Sequence, residues 1–146
     1  ADAKNQRVRR LDLAAPAPTV TTVAGGAVAA ADGLSRGGDF TNGVGEAARF
    51  FHPAALAVGP DGALIVADRD NDVLRRVVVD VGGTGTVSTL VGGESGIAGA
   101  RKGFVDGSAA SARFKAPRAV ALDRGGRIVV ADQGNAAIRL VDLGAR

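Results

Sequence analysis

The sequence predicts an all-β chain: a segment of a β-propeller built from four-stranded antiparallel blades. Three observations carry that prediction. The first is an internal repeat of about 65 residues. Ala1–Arg9, Ala67–Arg75 and Ala131–Arg139 all read Ala-Asp-x-x-Asn-x-x-aliphatic-Arg, at offsets of 66 and 64 residues. The second is composition. The chain has 29 Ala, 22 Gly and 19 Val, together 70 of its 146 residues, and only five aromatics, all Phe. Crowded sheets packed face to face favour small and β-branched side chains over large ones. The third is the content of one repeat: four short β-rich runs separated by tight-turn residues, the pattern of an antiparallel meander. Meanders repeated head to tail are propeller blades.

The elements follow in order. Arg7–Leu11 and Val20–Val23 read as the closing strands of a first blade. After Pro53, the small apolar run Ala54–Val58 reads as an innermost strand, where crowding selects Ala and Val. Gly59-Pro60-Asp61-Gly62 is turn material. Ala63–Ala67, Val73–Val79 and Thr86–Val91 complete that blade, with turns at Asp68–Asp72 and Gly82–Gly85. Arg118–Leu122, Arg127–Ala131 and Ala137–Asp142 repeat its first three strands. A second block pairs Thr19–Gly26 with Thr86–Gly93, and a third pairs Ala48-Arg49-Phe50 and Pro53 with Ala112-Arg113-Phe114 and Pro117. The linkers, rich in Gly and Ala, have no clean helical periodicity, and helix is expected to be nearly absent.

The blocks Arg49-Phe50-x-x-Pro53, Gly62-x-Leu64-x-Val66-Ala67-Asp68-x-x-Asn71-x-x-x-Arg75 and Val87-x-Thr89-Leu90-x-Gly92 resemble NHL repeats. Arg113-Phe114-x-x-Pro117, Gly126-x-Ile128-x-Val130-Ala131-Asp132 and Asn135-x-x-Ile138-Arg139 resemble them again. The resemblance covers nearly the whole chain and implies an NHL-type propeller whose commonest role is as an interaction platform. The period is longer than the ~40–45 residues usual for propeller blades. The extra length falls in the linkers Ala27–Glu46 and Glu94–Ser111.

This register divides the chain into residues 1–26, the end of one blade; 27–93, a linker plus a complete blade; and 94–146, a linker plus most of a third blade. All three belong to one incomplete propeller domain. Closed propellers need roughly four to eight blades, so the rest of the ring is expected elsewhere in a longer polypeptide. A ring of identical copies is the second possibility, although the surplus third strand would spoil the joint. The chain carries no Met, which fits a processed chain or a piece of a longer one. Its first residues, with Asp2, Lys4, Arg7, Arg9 and Arg10, do not read as a secretory leader, no run approaches a membrane span, and nothing assigns a compartment.

The residues that could carry chemistry are the repeated ones: Asp2, Asn5 and Arg9; Asp68, Asn71 and Arg75; Asp132, Asn135 and Arg139. A structural role is expected for all nine. Asp and Asn at hairpin loops bond local backbone N–H groups, and the Arg, early in the next strand, could bridge to a neighbouring blade. A catalytic group would not normally recur in every blade. No catalytic, cofactor-binding or metal-ligating residue is therefore assigned, and no cofactor is expected. Asp68, Asp70 and Asp72 stand at alternate positions as in a calcium loop, but Val73 and Val79 occupy the places where Gly and Glu would be required. His52 is the single histidine and cannot build a catalytic zinc site alone. Cys is absent, which excludes disulfides and thiol chemistry.

The net charge of +3, from 18 basic and 15 acidic residues, is interspersed rather than concentrated. Basic clusters at Arg7, Arg9 and Arg10, at Arg75 and Arg76, and at Arg101 and Lys102 keep single-stranded RNA binding open as an alternative. Such recognition usually adds aromatic stacking, and the phenylalanines, read as lying before the repeated prolines, look like core. A propeller enzyme with its catalytic groups on other blades is the remaining alternative. The expected function is a non-catalytic interaction or scaffold platform, with protein partners or the remaining blades as what it binds.

Overall fold

A computed structural model describes residues 1–14, 16–26, 40–93 and 101–144. Ten strands appear, and among the described residues the only helical pieces are single 3-10 turns. None of these is long and apolar enough to cross a membrane. The strands are β1 (Val8–Asp12), β2 (Thr19–Ala24), β3 (Gly43–Val44), β4 (Pro53–Val58), β5 (Leu64–Asp68), β6 (Val73–Val79), β7 (Gly85–Val91), β8 (Pro117–Leu122), β9 (Ile128–Asp132) and β10 (Ala137–Val141). They form three antiparallel sheets, ordered β1-β2, β3-β7-β6-β5-β4 and β10-β9-β8.

Nine strands fall within a residue or so of the runs expected from sequence; the tenth was not expected. Gly43–Val44 pairs with Val87 and Thr86 on the outer edge of the central sheet, making it five-stranded rather than four-stranded. Two residues carry no readable alternation, and only the fold of the linker brings them to that edge. Linker residues 27–39 and 94–100, including Gly37-Gly38, lie outside the described residues.

Local chemistry sets each hairpin. Between β4 and β5, Gly62 takes a φ of +78°, open to glycine, while the Asp61 carboxylate accepts the Ala63 N–H at 3.2 Å. Between β6 and β7, Asp80 accepts the Thr84 N–H at 2.9 Å. Between β8 and β9, Asp123 accepts the N–H groups of Gly125 and Arg127. Each carboxylate satisfies turn amides that the ladder leaves free. The ladder also slips at equivalent places, between Pro53 and Ala55 and between Pro117 and Ala119. The repeat in sequence is thus a repeat in register.

Two cores lie between the sheets. One gathers Val8 and Val23 against Phe50, Val66, Val77 and Val87 of the central blade. The other gathers Ile65, Ala67, Leu74 and Val91 against Phe114, Ile128 and Val130 of the third. β4 and β8, the expected innermost strands, lie side by side. Both faces of the central blade are thereby buried, which explains why its strands read as continuous apolar runs. Each fully buried Val or Leu contributes about 1.5–3 kcal/mol.

Candidate functional site

The repeated Asp-Asn-Arg motif builds a polar post inside each blade. Asp68 ends β5, and its carboxylate accepts from Phe51 N–H at 2.7 Å, Asn71 Nδ2 at 2.9 Å and Arg75 Nη1 at 2.9 Å. Both charged side chains are fully buried. The third blade repeats the arrangement. Asp132 accepts from Lys115 N–H at 2.8 Å, Asn135 Nδ2 at 2.7 Å and Arg139 Nη1 at 3.1 Å. At the first blade it is looser: Asn5 Nδ2 lies 3.0 Å from both Asp2 oxygens, and Arg9 lies 3.8 Å from Asp2.

The arginines correct one expectation. Among the described residues, Arg75 bonds within its own blade rather than to a neighbouring one. It donates to Arg49 O, Thr41 O and Asn42 Oδ1, pinning the linker that enters its own blade. Arg139 does the same with Arg113 O, Val105 O and Asp106. Two aromatics sandwich each guanidinium: Phe40 and Phe50 lie 4.6 and 5.3 Å from Arg75, and Phe104 and Phe114 lie 4.9 and 5.2 Å from Arg139. Phe50 and Phe114 are core, as expected, but Phe40 and Phe104 are arginine-stacking residues in the linkers. Their offset of 64 residues was the signal available for finding them.

Burial raises the Asp68 carboxyl to about 6, against the pull of Arg75, Asn71 and the Phe51 amide. Burial also raises Asp72. Asp61 is held low, chiefly by the hydrogen bond from Arg76, and Asp123 chiefly by the Arg127 amide. The three carboxylates of the acidic loop turn to separate tasks. Asp68 binds Arg75, Asp70 pairs with Arg69 at 3.2 Å and His52 at 3.3 Å, and Asp72 accepts the Ala116 amide. Among the described residues no group of three potential metal ligands stands together.

The open surface lies at the end of the third blade. Ile138 pairs with Ala131, and Ala131 with Ala119; Leu140 pairs with Val129, and Val129 with Ala121. These six share one face of the sheet. The central blade buries the equivalent face against its neighbour. Leu74 there is fully buried, whereas Ile138, 64 residues on, is 74% exposed. At the other end Leu11 and Val20, partners in the β1-β2 ladder, are also exposed. β10 is the edge of its sheet, whereas β6, its equivalent, is paired on both sides.

A two-core stack of repeated meanders, braced by a buried Asp-Asn-Arg post, defines a segment of an NHL-type β-propeller. The chain belongs to the Teneurin NHL domain family, whose model matches residues 20–142. Protein SUPPRESSOR OF QUENCHING 1, chloroplastic, of Arabidopsis thaliana is 29% identical over 149 residues, covering 98% of this chain and 12% of that protein. Two solved structures share the architecture. An auxiliary nutrient binding protein from Bacteroides thetaiotaomicron matches at 25% identity and a TM-score of 0.69, over 94% of this chain and 33% of that one. One from Bacteroides ovatus matches at 22% identity and a TM-score of 0.75, over 96% of this chain and 33% of that one. The chain thus spans about a third of those structures and about an eighth of the plant protein.

Proposed function

We propose that the chain is a non-catalytic part of an NHL-type propeller that serves as a rigid interaction platform, completed by further blades. The observation that carries this is the inequality of Leu74 and Ile138: one position of the repeat, buried in one blade and open in the next. A face of this kind is a binding surface by its chemistry, since exposed contiguous apolar area on a folded protein marks an interface. The neighbouring blade is its first occupant, because the central blade shows what covers the same face. The division of the chain into a blade end, a complete blade and most of a third is part of the same proposal.

The carboxylates support a structural rather than catalytic role. Asp68 and Asp132 each serve an arginine, an asparagine and a backbone amide, and both are fully buried, out of a substrate's reach. The Bacteroides thetaiotaomicron relative is described as a nutrient binding protein, a binding rather than a catalytic description. RNA binding is the weaker alternative. Phe40 lies between the guanidiniums of Arg75 and Arg101, so its ring is not offered to a base.

Sedimentation tests the reading. The 146-residue chain alone should self-associate or aggregate, and a longer polypeptide supplying the next blade should be monodisperse. A stable monomer of the isolated chain with cooperative unfolding would overturn it.

A further inference from the structure

A small cleft opens where the innermost strands β4 and β8 begin, lined by Ala3, His52, Ala54, Arg69 and Arg118, with a volume of about 280 Å³. Its residues show where the repeat has been broken. Arg69 follows the Asp of its motif, as Ala3 and Gln133 do in theirs. Arg118 is the second residue of β4-type strands, where the central blade has Ala54. The junction between the first and second blades therefore carries an Ala/Ala pair, and the next junction carries an Arg/Arg pair. The fold requires only a methyl group at either place.

Two guanidiniums lining one cleft repel unless a negative charge lies between them. Asp70 meets one of them, pairing with Arg69 at 3.2 Å and with His52 at 3.3 Å. Arg118 is exposed and, among the described residues, makes no side-chain hydrogen bond or ion pair. The cleft thus holds more cationic donors than its own carboxylate can satisfy. A guanidinium presents its N–H groups as a planar fork that matches an oxyanion.

We propose that this cleft is an anion-binding site in which Arg69 and Arg118 clamp one carboxylate or phosphate group, with His52 as a third polar contact. The volume admits a small acid or a single anionic side group and excludes a folded ligand. The site does not depend on what covers the open face of the third blade.

The test is calorimetric and NMR titration of the polypeptide carrying this chain, at low ionic strength, with inorganic phosphate and separately with succinate. Saturable binding of at least one anion is expected, with shifts confined to Arg69, Arg118, His52 and their neighbours. Response to succinate alone would assign a carboxylate ligand, to phosphate alone a phosphoryl ligand, and to both a general oxyanion site. R118A should weaken binding about tenfold or more, and R118K should fall between it and the parent. R69A/R118A installs the side chains that stand at Ala3 and Ala54, so it should fold, and should not bind. Added sodium chloride should weaken binding in the unaltered protein, a readout that needs no variant. Absence of saturable binding of either anion, or equal binding by the double variant, would overturn the proposal.

Discussion

Asp72 Oδ1 accepts the backbone N–H of Ala116 at 2.7 Å, joining the central blade to the entry of the third across 44 residues of sequence. Gln6 Oε1 accepts the His52 N–H in the same way one junction earlier. Donor and acceptor residues all take left-handed backbone: Gln6 at φ +56°, His52 at +59°, Asp72 at +59° and Ala116 at +50°. That conformation is costly for residues with a Cβ, and the recurring clasp accompanies it. Ala136 holds the third equivalent place, at φ +50°, with no side-chain acceptor to offer. A junction beyond the third blade would therefore have no such clasp from Ala136.

Asp72→Ala should destabilise the chain by about 1–3 kcal/mol, because the Ala116 amide loses its partner in a part-buried site. Asp72→Asn retains an acceptor oxygen and should lose less. Urea unfolding of the two variants makes the comparison, and equal losses would show that the clasp does not act through its oxygen.

Truncating the repeated arginines should give a graded series. Arg75→Ala leaves Asp68 as a buried, unpaired charge and should cost about 3–5 kcal/mol. Arg139→Ala should cost somewhat less, since its side chain is slightly open to solvent. Arg9→Ala should cost least, its pair with Asp2 being about a third exposed and 3.8 Å long. Denaturation midpoints with unchanged slopes would report the order.

The repeat-equivalent pair at the open face offers a sharper contrast. Leu74→Ala should cost about 2–5 kcal/mol by opening a cavity. Ile138→Ala should change the stability of the isolated chain by no more than about 0.5 kcal/mol, and Ile138→Asp should reduce its self-association in sedimentation. A large stability loss from Ile138→Ala would mean that this face is already covered.

Titration separates the carboxylates. Asp68 should titrate near 6 in carbon-detected NMR, while Asp61 and Asp123 titrate below the ordinary carboxylate value. The folded value of Asp68 exceeds its unfolded 3.8. Its contribution to stability is therefore present in full below 3.8 and is lost as pH rises through about 6. Asp61 and Asp123 act in the opposite sense, contributing above their unfolded value and losing that contribution as pH falls through the folded one. An Asp68 resonance titrating at or below 3.8 would show that Arg75 outweighs burial.

Much of the architecture is legible in the sequence because it rests on short-range rules. β-branched runs such as Val73–Val79 make strands, Gly59-Pro60-Asp61-Gly62 makes a turn, and Asp68 and Asn71 meet three residues apart within one loop. A period shared by several blocks then sets the blade register, since equivalent residues must occupy equivalent places. Tertiary structure alone decided the rest. Arg75 finds Arg49, Asn42 and Thr41 at separations of 26 to 34 residues, partners that the repeat of the linker marks as equivalent to those of Arg139 but does not pair with either arginine. Gly43–Val44 becomes a strand only because β7 offers an edge. Leu74 and Ile138 read alike in sequence and differ in burial because one has a blade packed over it. Arg69 and Arg118 lie far apart in the chain and share a cleft because β4 and β8 lie side by side. Local hydrogen bonding and side-chain size act over a few residues, whereas the partner of an exposed face is set by whatever the fold brings against it.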